Sequence, residues 1–80
     1  MICVATFFSH FGAMRCKKLC DRAGLPARMM PVPRMLSSSC GTCVRIETED
    51  PSAVPLTDES EQLALEQPDG YKILWKAENS

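Results

Sequence analysis

The sequence predicts an α+β domain in the order β-α-β-β-α-β, a ferredoxin-like sandwich whose four-stranded antiparallel sheet carries two helices on one face. Three observations indicate this fold. An apolar run opens the chain at residues 2–8, a helical stripe follows over residues 10–23, and alternating segments occupy residues 42–46 and 71–76. Eighty residues are enough for one domain, residues 1–80, with a single layer of core.

The first strand and first helix have clear signals at both ends. Residues 2–8 contain the β-branched and aromatic side chains typical of a buried strand. Ser9 can cap the helix 10–23, and Gly24 can end it in the left-handed conformation. The stripe that should face the core consists of Ala13, Cys16, Cys20 and Ala23.

Two further strands should follow this helix. Residues 27–32 form a strand that we expect at a sheet edge, because Pro31 has no N–H to donate. Residues 33–41 are a loop, and residues 42–46 alternate as a third strand. In that strand, the inward-facing residues should be Val44 and Ile46, with Cys43 and Arg45 on the opposite face.

The C-terminal half should provide a second helix and a last strand. Residues 47–56 are acidic and contain two prolines, so they should form an irregular connector. Thr57 can cap a helix over residues 58–67, which has acidic residues in its first turn. Residues 71–76 alternate as the fourth strand after a turn, and we expect residues 77–80 to be disordered.

The distribution of charge and cysteine narrows the class of protein. Residues 1–46 carry a net charge of +6 and residues 47–80 carry −7. The basic residues have no interleaved aromatic side chains, so we expect no nucleic-acid partner. No segment is long and apolar enough for a membrane span, and the N-terminus lacks the basic start of a signal peptide. We therefore expect a cytoplasmic protein, whose five cysteines remain thiols.

The loop before the third strand carries the clearest chemical signal. Cys40 follows three serines and precedes Gly41, so backbone N–H groups of this turn, including those near Ser38 and Ser39, can point at one anion. Arg34 precedes the loop and Arg45 follows it. Amide dipoles and guanidinium groups favour a thiolate over a thiol, so Cys40 is the candidate nucleophile. The alternative is an inert loop cysteine.

Other cysteine arrangements stay open at the level of sequence. Cys40 and Cys43 form a C-x-x-C pair, in which Cys43 would be the resolving thiol of a small dithiol redox protein. An extended chain would place the two Cα atoms roughly 10 Å apart, too far for a disulfide. Cys16 and Cys20 could join them in a metal site, but their spacing is more typical of core residues, and Cys3 also belongs to the core. We therefore expect no metal and no cofactor.

His10 has two interpretations as well. It could act as a base for Cys40, or it could simply be exposed in the first turn of the helix. A third functional class, a non-catalytic module that binds a partner through the open sheet face, also fits the predicted fold.

The N-terminal half resembles a family of small bacterial selenium/sulfur carrier-like proteins found largely in anaerobes. The resemblance covers residues 2–46 and is most specific where Pro33-Arg34 is followed, after a short spacer, by Ser38-Ser39-Cys40-Gly41. It implies an accessory carrier, not a self-contained enzyme, which holds a persulfide or selenosulfide on Cys40. A cysteine desulfurase or selenocysteine lyase would supply the atom, and an unidentified enzyme would accept it.

Overall fold

The computed structural model describes residues 1–78, in which one α-helix packs against one sheet of five strands. The spatial order of the strands is β2-β3-β1-β4-β5, and every neighbouring pair is antiparallel. The elements are β1 (Ile2–Phe7), α1 (His10–Ala23), β2 (Ala27–Pro31), β3 (Thr42–Glu47), a 3₁₀ turn (Pro51–Ala53), β4 (Ser60–Gln67) and β5 (Gly70–Lys76).

The predicted ends of the first helix and the edge position of β2 are confirmed, but Ala23, expected on the core-facing stripe, is exposed in the last turn of α1, where the buried residues end at Cys20. Ser9 is extended (φ −144°) and its hydroxyl accepts the N–H of Gly12, which caps α1. Gly24 ends the helix at φ 76°, and its N–H returns to the carbonyl of Asp21. β2 lies at the edge of the sheet, as Pro31 requires. β3 inserts between β1 and β2, so the first β-α-β unit is split.

Two hydrophobic clusters lie on opposite faces of the sheet. The cluster under α1, here called the helix-side cluster, contains Cys3, Ala5, Phe7, Ala13, Cys16, Cys20, Val44, Ile46, Val54 and Leu63. The second, here called the loop-side cluster, contains Val4, Leu36, Cys43 and Ala64. Val44 and Cys43 therefore face opposite sides of β3, as predicted, and the loop that holds Leu36 covers part of the second face.

The predicted ferredoxin-like sandwich of four strands and two helices is wrong. Residues 58–67 form no helix: Ser60–Gln67 is strand β4, which pairs with β1 on one side and β5 on the other. The sheet therefore has five strands within residues 1–78, and β5 lies at its far edge. Because no second helix covers that end, Trp75 on β5 is 38% exposed.

Local and tertiary forces compete in this segment. Its Glu, Gln, Leu and Ala residues all favour helix. However, β1 would leave backbone groups unpaired without a strand beside it, and such buried groups are costly. The capping signal at Thr57 is real but closes a turn: its hydroxyl accepts the N–H of Glu59, and its carbonyl accepts the N–H of Ser60.

The C-terminal end continues the pairing beyond β5. Ala77 donates its N–H to the carbonyl of Glu61 at 2.9 Å. Of the expected disordered tail 77–80, residues 79 and 80 lie outside the described residues. Within residues 1–78, no helix has the length and apolar composition that crossing a membrane requires.

Candidate functional site

The Cys40 loop lies where β1 ends and α1 begins. Cys40 is half-buried and packs against the edge of the helix-side cluster. The other four cysteines, which are Cys3, Cys16, Cys20 and Cys43, are completely buried. All five lie within the described part of the chain, so Cys40 is the one thiol that a reagent or partner can reach.

A tight turn brings one backbone N–H to the sulfur of Cys40. Gly41 has φ 74°, a left-handed conformation that glycine adopts without a Cβ clash. The chain then folds back so that the N–H of Thr42 lies 3.5 Å from the Cys40 Sγ, while the thiol reaches the Thr42 carbonyl at 3.3 Å. The Thr42 N–H can therefore donate to a thiolate, as the sequence leads us to expect of a glycine-containing turn.

The loop is held in place by Glu61, a residue that falls within the helix wrongly predicted over residues 58–67. Glu61 is 8% exposed and accepts three hydrogen bonds: from the hydroxyl of Ser39 at 2.6 Å, from the N–H of Ser39 at 3.2 Å and from Thr6 at 3.2 Å. Burial by itself disfavours the charged carboxylate, but the hydrogen bonds from Ser39 and Thr6 outweigh it and lower the pKa of Glu61.

Three further contacts fix the residues just before Cys40. The Gln62 amide donates to the carbonyl of Ser37 at 2.6 Å. The hydroxyl of Ser38 donates to the carbonyl of Phe7 at 3.4 Å and accepts the N–H of Cys40 at 3.4 Å. Neighbouring residues of β4 and the end of β1 therefore clamp the loop. No motif identifies Glu61 and Gln62 in the sequence, because their role depends on the pairing of β4 with β1.

The predicted anion-stabilising groups do not all converge on Cys40. The N–H and hydroxyl of Ser39 are used by Glu61, and the hydroxyl of Ser38 is used by the backbone. Arg45 lies on the opposite face of the sheet and pairs with Glu66 at 3.2 Å. Arg34 is exposed at the start of the loop and forms no ion pair within residues 1–78. Of the two arginines, Arg34 is therefore the one without an ion-pair partner among the described residues.

Cys43 has the surroundings of a core residue. It packs in the loop-side cluster, where its thiol contacts the carbonyl of Pro31 at 3.6 Å. Burial, with a smaller contribution from the nearby Cys40, raises the pKa of Cys43 to about 11. A thiol that stays protonated and inaccessible is a poor resolving nucleophile, so this geometry disfavours the dithiol alternative.

The helix cysteines also belong to the core. Burial, with a smaller contribution from Cys20, raises the pKa of Cys16 to about 12, and its thiol reaches the carbonyl of Pro55 at 3.7 Å. Burial raises the pKa of Cys20 as well. Across residues 1–78, no group of three or more His, Cys, Asp or Glu side chains is arranged to hold a metal ion.

His10 joins the first turn of α1 to the Cys40 loop. Its ring is exposed, and its Nδ1 lies 3.3 Å from the hydroxyl of Thr42. Because the N–H of Thr42 faces the sulfur of Cys40, His10 is one residue removed from the thiol and not in contact with it. The structure therefore agrees with the interpretation of His10 as an exposed residue of the first helical turn, and it shows no contact through which His10 could act directly as a base for Cys40.

Comparison with known proteins now adds a family to this geometry. No curated protein and no solved structure matches the chain. A family model described as "Putative Se/S carrier protein-like" matches residues 2–67, which extend from the start of β1 to the end of β4 and include the Cys40 loop. The match covers most of the chain and confirms the resemblance found in the sequence. The protein belongs to the Se/S carrier-like family.

Proposed function

We propose that this protein carries sulfur or selenium as a persulfide or selenosulfide on Cys40 and passes it to an acceptor enzyme. The observation that carries the proposal is the contrast among its cysteines: Cys40 is accessible on a hydrogen-bonded loop, and the other four are completely buried. A carrier must expose its loaded atom to two partners in turn, which buried thiols cannot do. The family description supports the same chemistry.

The loading step is a thiolate exchange that needs no external oxidant. The Cys40 thiolate attacks the outer sulfur of a cysteine persulfide on the donor. A new S–S bond forms on Cys40, the S–S bond of the donor breaks, and the donor cysteine leaves as a thiolate. A selenium atom would move by the same exchange from a donor selenosulfide. Delivery repeats the step, with the acceptor as the attacking nucleophile.

The surroundings of Cys40 favour an anionic persulfide or selenosulfide that is received from one protein and passed to another. The Thr42 N–H stabilises negative charge on the sulfur. The contact between His10 and Thr42 brings the N-terminus of α1, the positive end of the helix dipole, close to the same loop. Arg34 would add a positive charge at the loop entrance. In keeping with the carrier family to which the chain belongs, we assign it an accessory role, with cysteine desulfurase or selenocysteine lyase as the donor.

Loading of variants in which one cysteine at a time is replaced tests this proposal. The wild type and five separate Cys→Ser variants are incubated with a cysteine desulfurase and L-cysteine, and bound sulfane sulfur is measured by mass spectrometry. We expect Cys40→Ser to abolish loading. Each of the four buried-cysteine variants should retain it if circular dichroism shows a folded protein. Full loading of Cys40→Ser would eliminate the carrier assignment.

A further inference from the structure

The solvent-facing stripe of α1 beside the Cys40 loop combines apolar and basic side chains. We infer that this stripe, here called the docking stripe, binds the donor protein. The matching surface of the donor would carry carboxylates around an apolar side chain. The docking stripe consists of Phe11, Met14, Arg15, Lys18 and Arg22. This inference rests on the proposed function and names the surface through which the donor would reach Cys40.

The apolar side chains of the docking stripe are open to solvent. Phe11 is 66% exposed and Met14 is 43% exposed, although Ala13 and Cys16 on the other side of the helix are completely buried. Phe8, just before the helix, is 37% exposed. Exposed aromatic and methionine side chains in one place are typical of a surface that a partner covers.

The basic part lies on the same side of the helix. Relative to Phe11, the positions of Arg15, Lys18 and Arg22 recur at helical spacing, so the four side chains form one row. All three cations are exposed, and none forms an ion pair within residues 1–78. Lys17, by contrast, is neutralised by Asp21 at 2.7 Å. The unpaired charge of the docking stripe therefore favours an acidic partner.

The docking stripe begins close to the Cys40 loop, where sulfur transfer would take place. The docking stripe begins one residue after His10, whose ring contacts Thr42 next to the Cys40 sulfur. A protein that covers Phe11 is therefore at the edge of the Cys40 loop and can bring its own persulfide to the thiol. The few apolar side chains offer too little area for stable insertion into a membrane, so a protein surface suits the docking stripe better.

The test separates docking from chemistry by using two sulfur sources. Wild type and Arg15→Glu/Lys18→Glu are loaded either by purified cysteine desulfurase or by inorganic polysulfide. The control, Arg28→Glu/Lys72→Glu, makes the same change in net charge on exposed residues of β2 and β5. We expect the charge reversal on α1 to raise the half-saturating desulfurase concentration about tenfold or more, with polysulfide loading unchanged. The control should match wild type.

A second variant tests the apolar part of the docking stripe without altering its charge. Phe11→Ala removes an exposed ring, so folding should be unaffected, and the half-saturating desulfurase concentration should again rise about tenfold. Equal desulfurase kinetics in wild type and both α1 variants would overturn the docking stripe, as would equal losses in the control. Binding of the wild type to anionic vesicles or RNA, lost on charge reversal while desulfurase loading is unchanged, would also overturn it. If the wild type is loaded neither by the desulfurase nor by polysulfide, the carrier function itself is refuted.

Discussion

Cys40 and Cys43 lie close together in sequence but pack into different hydrophobic clusters on opposite faces of the sheet. Cys40 borders the cluster under α1, and Cys43 is completely buried in the cluster under the loop. The turn at Gly41 and the start of β3 at Thr42 separate them, because successive residues of a strand face opposite ways. The C-x-x-C spacing therefore does not produce a facing dithiol here.

Mild oxidation should leave this pair unlinked. Because burial raises the pKa of Cys43 to about 11, its thiolate is scarce at neutral pH, and its side chain packs in a different hydrophobic cluster from that of Cys40. We expect no intramolecular Cys40–Cys43 disulfide after diamide treatment of the folded protein, measured by intact mass after alkylation. Stoichiometric formation of that bond would restore the dithiol redox interpretation.

Alkylation of the folded protein should modify Cys40 alone. Burial raises the pKa of Cys3, Cys16, Cys20 and Cys43, and each is also inaccessible to a reagent. Iodoacetamide at neutral pH should give one adduct in the native state and five after unfolding in guanidinium chloride, counted by mass spectrometry. A native adduct on any other cysteine would show that the core opens more readily than its packing indicates.

Replacement of Glu61 should lower the free energy of unfolding by an amount that depends on pH. Its folded-state pKa is below the ordinary value of 4.5, so its ionised form stabilises the fold above that pH, and this stabilisation is lost as the pH falls through the folded-state pKa. Glu61→Gln should reduce the free energy of unfolding by about 1.5–3 kcal/mol at neutral pH. The difference, measured by urea unfolding, should shrink in acid.

Glu66→Gln is the matched control for this prediction. Glu66 is on the same strand, but its side chain is about a third exposed, and its one ion pair within residues 1–78 is with Arg45. The expected loss is about 0.5 kcal/mol. A loss equal to that of Glu61→Gln, or an effect of Glu61→Gln that persists unchanged in acid, would contradict the role assigned to the buried carboxylate.

Gly41→Ala should strain the Cys40 turn without creating a clash. Nothing lies within 4 Å of a Cβ built there, so the cost comes from the left-handed backbone and should be about 1 kcal/mol. Gly24→Ala is the control, because Gly24 has nearly the same φ and equally open space at the far end of α1. Both variants should lose similar stability, while only Gly41→Ala slows alkylation of Cys40. Equal alkylation rates would show that the turn does not position the thiol.

The sequence predicts the parts of this fold whose signals are local. Ser9 and Gly24 determine the ends of α1 through their own hydrogen bonds and dihedral angles, and Pro31 places β2 at an edge. The helix predicted over residues 58–67 is wrong because pairing with β1 overrides the helix propensity of those residues. Propensity gives no information about a partner strand that is distant in sequence.

The same limit applies to the site. Cys40 is identifiable because its serine and glycine neighbours form a recognisable loop, whereas Glu61 reaches Ser39 only through the pairing of β4 with β1. Arg45 looks suitable by proximity in sequence, but strand alternation turns it to the face opposite Cys40. Residues that act through the sheet are therefore hidden from a reading of the chain alone.

Peptide mapping of the loaded protein tests the central claim most directly. Cys40 and Cys43 lie on one tryptic peptide, residues 35–45, so fragment ions must distinguish them. After loading by a desulfurase supplied with cysteine that carries heavy-isotope sulfur, we expect one labelled sulfur atom on Cys40 and none on Cys43. A label on Cys43, or on any cysteine other than Cys40, would contradict the account.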